Sequence, residues 1–267
     1  MKKISFNAFG LIFSLAFLFC CSAQVSAQSL SESDAFRLLQ KTDAQTNFSD
    51  TDFAASYSII QDKPGQGKTS REAVMYRRDS TSSYTILITG PQSDKGKGYL
   101  QIEDSIWFYD PADSQFVYSS AKDKFEGTNI NQADLAPQHF STDYRIVSAE
   151  KVKLGSLNCV LFNLEAKVND VPYPSVKIWV TEDDGLLRKK EDYSLSGQLL
   201  RTTAIPSYQK FGSRSVPEKM LIVDNLRGRK INDKMQYEKT QVTITNVSFA
   251  KQSDSVYTKK YIESMAQ

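Results

Sequence analysis

The chain has 267 residues, of which 33 are Lys or Arg, 31 are Asp or Glu, three are Cys and one is His. A net charge of +2 offers no one-signed field to attract nucleic acid or an anionic membrane. The lone His139 has no second His or Cys in a ligand spacing, which argues against the usual zinc sites and leaves a Ser-His-Asp or Cys-His centre with a single candidate.

The first 27 residues read as a signal peptide. Lys2 and Lys3 form a basic start, Leu11 to Phe19 an apolar run, and Val25-Ser26-Ala27 supplies the small residues that a signal peptidase needs. The run is too short for a membrane span. A protein exported to the periplasm is therefore expected, with residues 28–267 as one domain, large enough for one sizeable core. A rival reading anchors the protein through an acylated Cys20 or Cys21, although Phe19 and Cys20 fit poorly at the positions before them. Losing Lys2 and Lys3 brings the basic residues level with the 31 acidic ones. Cleavage after Ala27 also leaves only Cys159, so no intrachain disulfide forms. Cys159 sits in an apolar run and reads as a small buried hydrophobe.

Ala35, Leu38 and Leu39 share a face over residues 29–45, predicting a short amphipathic helix with Ser31 or Ser33 as its cap. Short strands are expected at 53–61, 72–78, 83–90, 98–103, 106–110 and 115–119, separated by Gly-, Pro- and Asp-rich turns. Residues 123–141 lose the alternation and read as loop and short helix. Strands resume at 143–154, 159–168, 175–181, 188–194, 198–205, 208–211, 218–224 and 241–247, and Thr258 caps a last helix. The pattern predicts a mainly β (α+β) fold: a long antiparallel meander with helices at its start, middle and end. An outer-membrane barrel is excluded, because the strands are short and carry charges such as Lys177, Arg188 and Lys190.

Gly65-Gln66-Gly67-Lys68-Thr69 imitates the end of a phosphate-binding loop, but Asp62 stands where the first glycine belongs, and a strand rather than a helix follows. It reads as a hairpin turn. His139, in Ala136-Pro137-Gln138-His139-Phe140, reads as a structural or surface residue. Arg77-Arg78, Arg188-Lys189-Lys190 and Arg227-Gly228-Arg229-Lys230 read as solvated strand ends or turns. Asp183-Asp184 and Glu191-Asp192 sit in turn-like settings with nothing to mark an acid/base pair. No enzyme, metal or cofactor is expected.

The run Ile106-Trp107-Phe108-Tyr109 does not alternate apolar with polar, so both faces of its strand should leave bulk water. One face can pack on a core; the other needs a helix, a partner or an apolar ligand. With Asp110-Pro111 behind it, this run resembles an element of the LolA-like superfamily of periplasmic lipoprotein-sorting proteins. The likeness continues through Asp143-Tyr144, Tyr173-Pro174, Ile178-Trp179-Val180 and Tyr193-Ser194-Leu195-Ser196-Gly197, and covers most of residues 32–263. The resemblance implies a curved antiparallel sheet or incomplete β-barrel covered by short helices. It also implies a carrier that binds the acyl chains of lipoproteins, or another lipid, in an apolar cavity, with inner-membrane donor and outer-membrane acceptor proteins as partners. The alternative is a lipid- or peptide-sensing module on the same fold, without transport. By family analogy Trp107 and Tyr109 look toward the cavity, and Tyr84, Ile86 and Ile88 form a second same-face set. Trp179 reads as core.

Overall fold

The computed structural model describes residues 29–169 and 171–266; the expected signal peptide, with Cys20 and Cys21, lies outside them. The first helix, α1 (Glu32–Ala44), is capped by Ser31, whose hydroxyl accepts the Asp34 N–H at 3.2 Å. Acidic residues in its first turn and Lys41 in its last complement the helix dipole. Ala35, Leu39 and Thr42 recur at helical spacing and are buried.

Six strands follow as a meander: β1 (Asp52–Lys63), β2 (Gly67–Arg78), β3 (Ser83–Gly90), β4 (Gly98–Ile102), β5 (Ser105–Asp110) and β6 (Gln115–Ser119). Residues 120–139, with a 3-10 turn at Gln132–Leu135, lead to the short α2 (Phe140–Asp143). Seven more strands form a second meander. They are β7 (Tyr144–Leu154), β8 (Leu157–Ala166), β9 (Ser175–Thr181), β10 (Leu187–Tyr193), β11 (Leu199–Phe211), β12 (Arg214–Ile231) and β13 (Lys234–Ser248). The helix α3 (Lys259–Met265), capped by Thr258, ends the fold.

The 13 strands of the described residues join one open antiparallel sheet in the order β6-β5-β4-β3-β2-β1-β13-β12-β11-β10-β9-β8-β7. The expected single meander is thus two, closed on each other where β13 returns to β1 and Ile59 faces Val242. Strands β6 and β7, adjacent in sequence, lie at opposite edges, so the segment between them must cross the whole sheet. Twist curls a sheet this wide, giving an incomplete barrel.

The crossing segment fills the inner face. Its Phe125 and Ile130 join Phe53, Ile59, Met75, Ile86 and Ile244 in the main core. A second core sets Ala35 and Leu39 of α1 on Val160, Phe162 and Ile178. The third lies on the outer face, where period-two alternation places Leu87 and Leu100 beneath Ile262 of α3. The helices therefore cover both faces of the sheet.

Two further departures have local causes. Residues 198–205 and 208–211 form one strand, β11, because register shifts around Ser207 absorb Pro206, which has no N–H for the ladder. The β12–β13 hairpin runs well past residues 224 and 241. Its outer part is exposed on both sides and so shows no alternation; Asn232 and Asp233, both at positive φ, make its turn. Gly65 to Thr69 turns the β1–β2 hairpin, as expected, and opens β2, with Lys63 opposite Gly67.

Candidate functional site

Between the sheet and its inner covering lies a cavity of about 130 Å³. The floor is supplied by alternate residues of five strands: Phe53 and Tyr57 of β1, Val242 and Ile244 of β13, Met220 and Ile222 of β12, Ile205 and Thr203 of β11, and Lys190 of β10. The roof has two parts: the end of α1 with its exit (Thr42, Gln45, Thr46, Phe48), and Ile130 to Gln138 of the crossing segment.

One side chain fastens both parts. The Arg77 guanidinium lies between Phe48 and Phe53, 5.2 Å from each ring centre. It donates to the Thr46 carbonyl at 2.7 Å and to the Leu135 carbonyl at 3.2 Å. Asp79 sits 2.7 Å from its Nε, and the other Asp79 oxygen accepts the Phe48 N–H at 2.7 Å. Arg77 is a buried clasp between strand and roof, not a solvated strand end.

The opposite wall carries a buried ion cluster. Arg201 donates from Nε to Asp192 at 2.7 Å and holds Asp134 in a fork at 2.5 and 2.9 Å. A further bond reaches the Asn129 carbonyl at 3.0 Å. The Lys190 ammonium stands 3.2 Å from Asp192 and 3.6 Å from Asp134. Burial alone would raise the Asp134 carboxyl, but the Arg201 and Lys190 charges outweigh it and bring it down to about 2. Asp134 also accepts the Asn131 N–H at 2.8 Å, so the cluster pins the 3-10 turn of the crossing segment to β10 and β11.

The residues expected from sequence fall elsewhere. Tyr84, Ile86 and Ile88 do face inward, yet they are sealed in the main core beneath the crossing segment. Tyr84 donates to Gln132 at 3.0 Å, and Ile86 borders only a small void under Phe125 and Leu135. Trp107 and Tyr109 point away from the cavity, which corrects the expectation from family analogy. They pack on the outer face with Leu100 and Ile262, and the Lys259 ammonium lies 4.6 Å above the Trp107 ring. The inward residues of that strand are Ile106 and Phe108, the latter 4.9 Å from Tyr99. The second cover that this apolar strand requires is thus α3. Trp179, expected in the core, alternates outward from Ile178 and Val180 and lies half-buried under Lys189.

Sequence reasoning assigned Arg77 and Lys190 to solvent, where the structure buries both, and gave Asp134, Arg201 and Thr203 no role. A signal existed for part of this set: Lys190 and Asp192, two apart on one strand, oppose Thr203 and Arg201 on the next. Opposite charges on one face of a hairpin whose neighbours are apolar point to a buried pair. His139 is exposed at the start of α2, whose first N–H groups bind Asp43 of α1 at 2.9 and 2.8 Å. Cys159 is fully buried. Among the described residues no group of three or more His, Cys, Asp or Glu is placed to hold a metal, and no helix is long and apolar enough to cross a membrane.

A family model described as "Uncharacterized protein" matches residues 80–264. The chain belongs to that family. Solved structures share its architecture across nearly their whole length. A LolA superfamily protein from Nitrosomonas europaea is 21% identical at a TM-score of 0.69, covering 84% of this chain and 97% of its own. A putative outer membrane lipoprotein-sorting protein domain from Vibrio parahaemolyticus is 15% identical at 0.73, with 85% and 97% covered. A DUF1329 family protein from Desulfovibrio piger is 16% identical at 0.73, with 86% and 98% covered. The fold is LolA-like. No curated protein matches the chain.

Proposed function

We propose that the protein is a periplasmic carrier that shelters the acyl chains of lipoproteins, or of another lipid, between its sheet and its roof. The cavity carries the reading: its floor is largely apolar, and both roof parts share one polar fastening at Arg77. At about 130 Å³ it is close to the ~150 Å³ that admits benzene, so a long chain enters only as the roof lifts. Burial supplies about 0.8 kcal/mol per methylene, and a hydrogen bond from a charged donor is worth about 1.5–3 kcal/mol net. Burying roughly four to eight methylenes therefore offsets the two Arg77 bonds to the roof. A chain that lifts Leu135 and Phe125 gains the surface around Ile86, Tyr84 and Ile88, which makes these residues its second wall. Loading and release need no catalytic step, only a balance of the buried chain against the Arg77 clasp and the Asp134 cluster that also holds the roof.

The expected signal peptide would place this exchange in the periplasm. One of the similar structures is described as a putative lipoprotein-sorting domain, and the same role here calls for an inner-membrane donor and an outer-membrane acceptor. The small size of the cavity favours a second reading, a sensor of a short lipid or peptide without transport. Both are tested by purifying residues 28–267 from a bacterial periplasm and combining native mass spectrometry, lipid extraction and acyl-probe titration. The carrier should hold lipid or bind probe and surrender it to acceptor vesicles. Binding without surrender selects the sensor, and a delipidated protein that takes no acyl probe refutes both lipid readings.

A further inference from the structure

The cavity is apolar on its floor but not at one end. Lys190 and Thr203 are direct partners across β10 and β11, and both line it. Thr203 is 5% exposed, and its Oγ1 is buried without a hydrogen-bond partner. An unpaired buried hydroxyl is costly, and such groups in native proteins call for an explanation. The Lys190 ammonium has three N–H donors and two carboxylate neighbours, which leaves one donor to spare. Spent groups mark the rest of the wall: Tyr208 donates to the Leu187 carbonyl, Gln45 to that of Asp184, and Gln138 to those of Ala133 and Ala136.

Two donors side by side call for an oxygen acceptor, and the surrounding charge decides which kind. Lys190 and Arg201 balance Asp134 and Asp192, and none of the four side chains is more than 13% exposed. A carboxylate arriving here would add an uncompensated buried charge; a carbonyl would not. We propose that Lys190 and Thr203 seat the carbonyl oxygen of an acyl ester or amide, with the hydrocarbon running over the floor toward Val242 and Ile244. The seat rests on the acyl-binding reading and adds orientation: the chain enters in one direction and is recognised at its linkage.

Dihexanoylphosphatidylcholine and its di-O-hexyl ether analogue differ only in those carbonyl oxygens. Titrated into the delipidated protein, the ester should bind about tenfold more tightly than the ether, as one buried hydrogen bond gives. Thr203→Val removes the hydroxyl at nearly constant shape. It should lower the ratio severalfold, leaving the share that Lys190 carries, without lowering the unfolding midpoint, since the lost group has no partner to abandon. Competition with an N-octanoyl lipopeptide separates an amide source from an ester source, the tighter ligand naming it. Equal affinity for ester and ether in the unsubstituted protein, or a ratio unchanged by Thr203→Val, overturns the seat and leaves the carrier standing. Laurate binding more tightly than the ester overturns the assignment to a neutral carbonyl. If neither lipid nor an apolar dye binds, the acyl reading fails and the seat fails with it.

Discussion

Replacing Arg77 with Met tests the clasp, because Met keeps the apolar stem while removing the guanidinium that lies between Phe48 and Phe53, and every donor with it. The change frees the Thr46 and Leu135 carbonyls and strips Asp79, whose side chain is 2% exposed, of its counter-charge. Breaking a buried ion pair from one side costs about 3–5 kcal/mol. Asp79 still accepts the Phe48 N–H, which argues for the lower end, about 3 kcal/mol. Urea unfolding measures this. Amide exchange should locate it, with faster exchange at residues 45–48 and 130–138 and little change in β8 and β9. An apolar dye should also enter the cavity faster. A loss below about 1 kcal/mol with unaltered exchange at both roof segments would show that packing, not Arg77, holds the roof, and the argument for a releasable cover would fall.

Acid should weaken the opposite wall. The Asp134 carboxyl is depressed to about 2, so its contribution is complete above its ordinary value near 4 and is lost as pH falls from about 4 to about 2. Roughly 2 kcal/mol is at stake; Asp134→Asn should unfold more easily at pH 7 and show a flatter pH profile in that window by circular dichroism. Ile262→Ala, which empties a fully buried site under α3, should cost about 2–4 kcal/mol in urea. Trp107→Ala should leave acyl-probe affinity within about twofold, because its ring lies across the sheet from the cavity; a large loss would put the ligand on the outer face.

Strand periodicity made most of the first meander readable: 83–90 and 115–119 stand as expected, and 98–103 and 106–110 end within a residue of their observed bounds. Turn residues did the rest, down to the Gly65–Gly67 hairpin. What was not readable is which surface covers an apolar strand. Ile106 to Tyr109 announced two dry faces, but only the docking of α3, more than 140 residues away in sequence, decides that Trp107 and Tyr109 meet a helix. The cavity's polar end was hidden for a related reason. Arg77, Lys190 and Arg201 are drawn inward by carboxylates and carbonyls from distant segments, and a linear reading assigns such cations to solvent. The outer β12–β13 hairpin lacks a buried face altogether, which erases the alternation on which strand assignment depends.

The pairing of β1 with β13 also dictates when this protein can become itself. Ser56 meets Thr245, so the centre of the sheet joins strands that lie far apart in sequence. Contacts of such separation slow folding, because most of the loop-closure entropy is lost before they form. Until β13 arrives, β1 and β12 are both open edges with apolar inner faces, a template for association with other chains. Synthesis or degradation that stops short of residue 234 therefore yields two unclosed half-sheets rather than a smaller working domain. For this architecture, the arrival of β13 is what turns two exposed edges into the middle of a sheet.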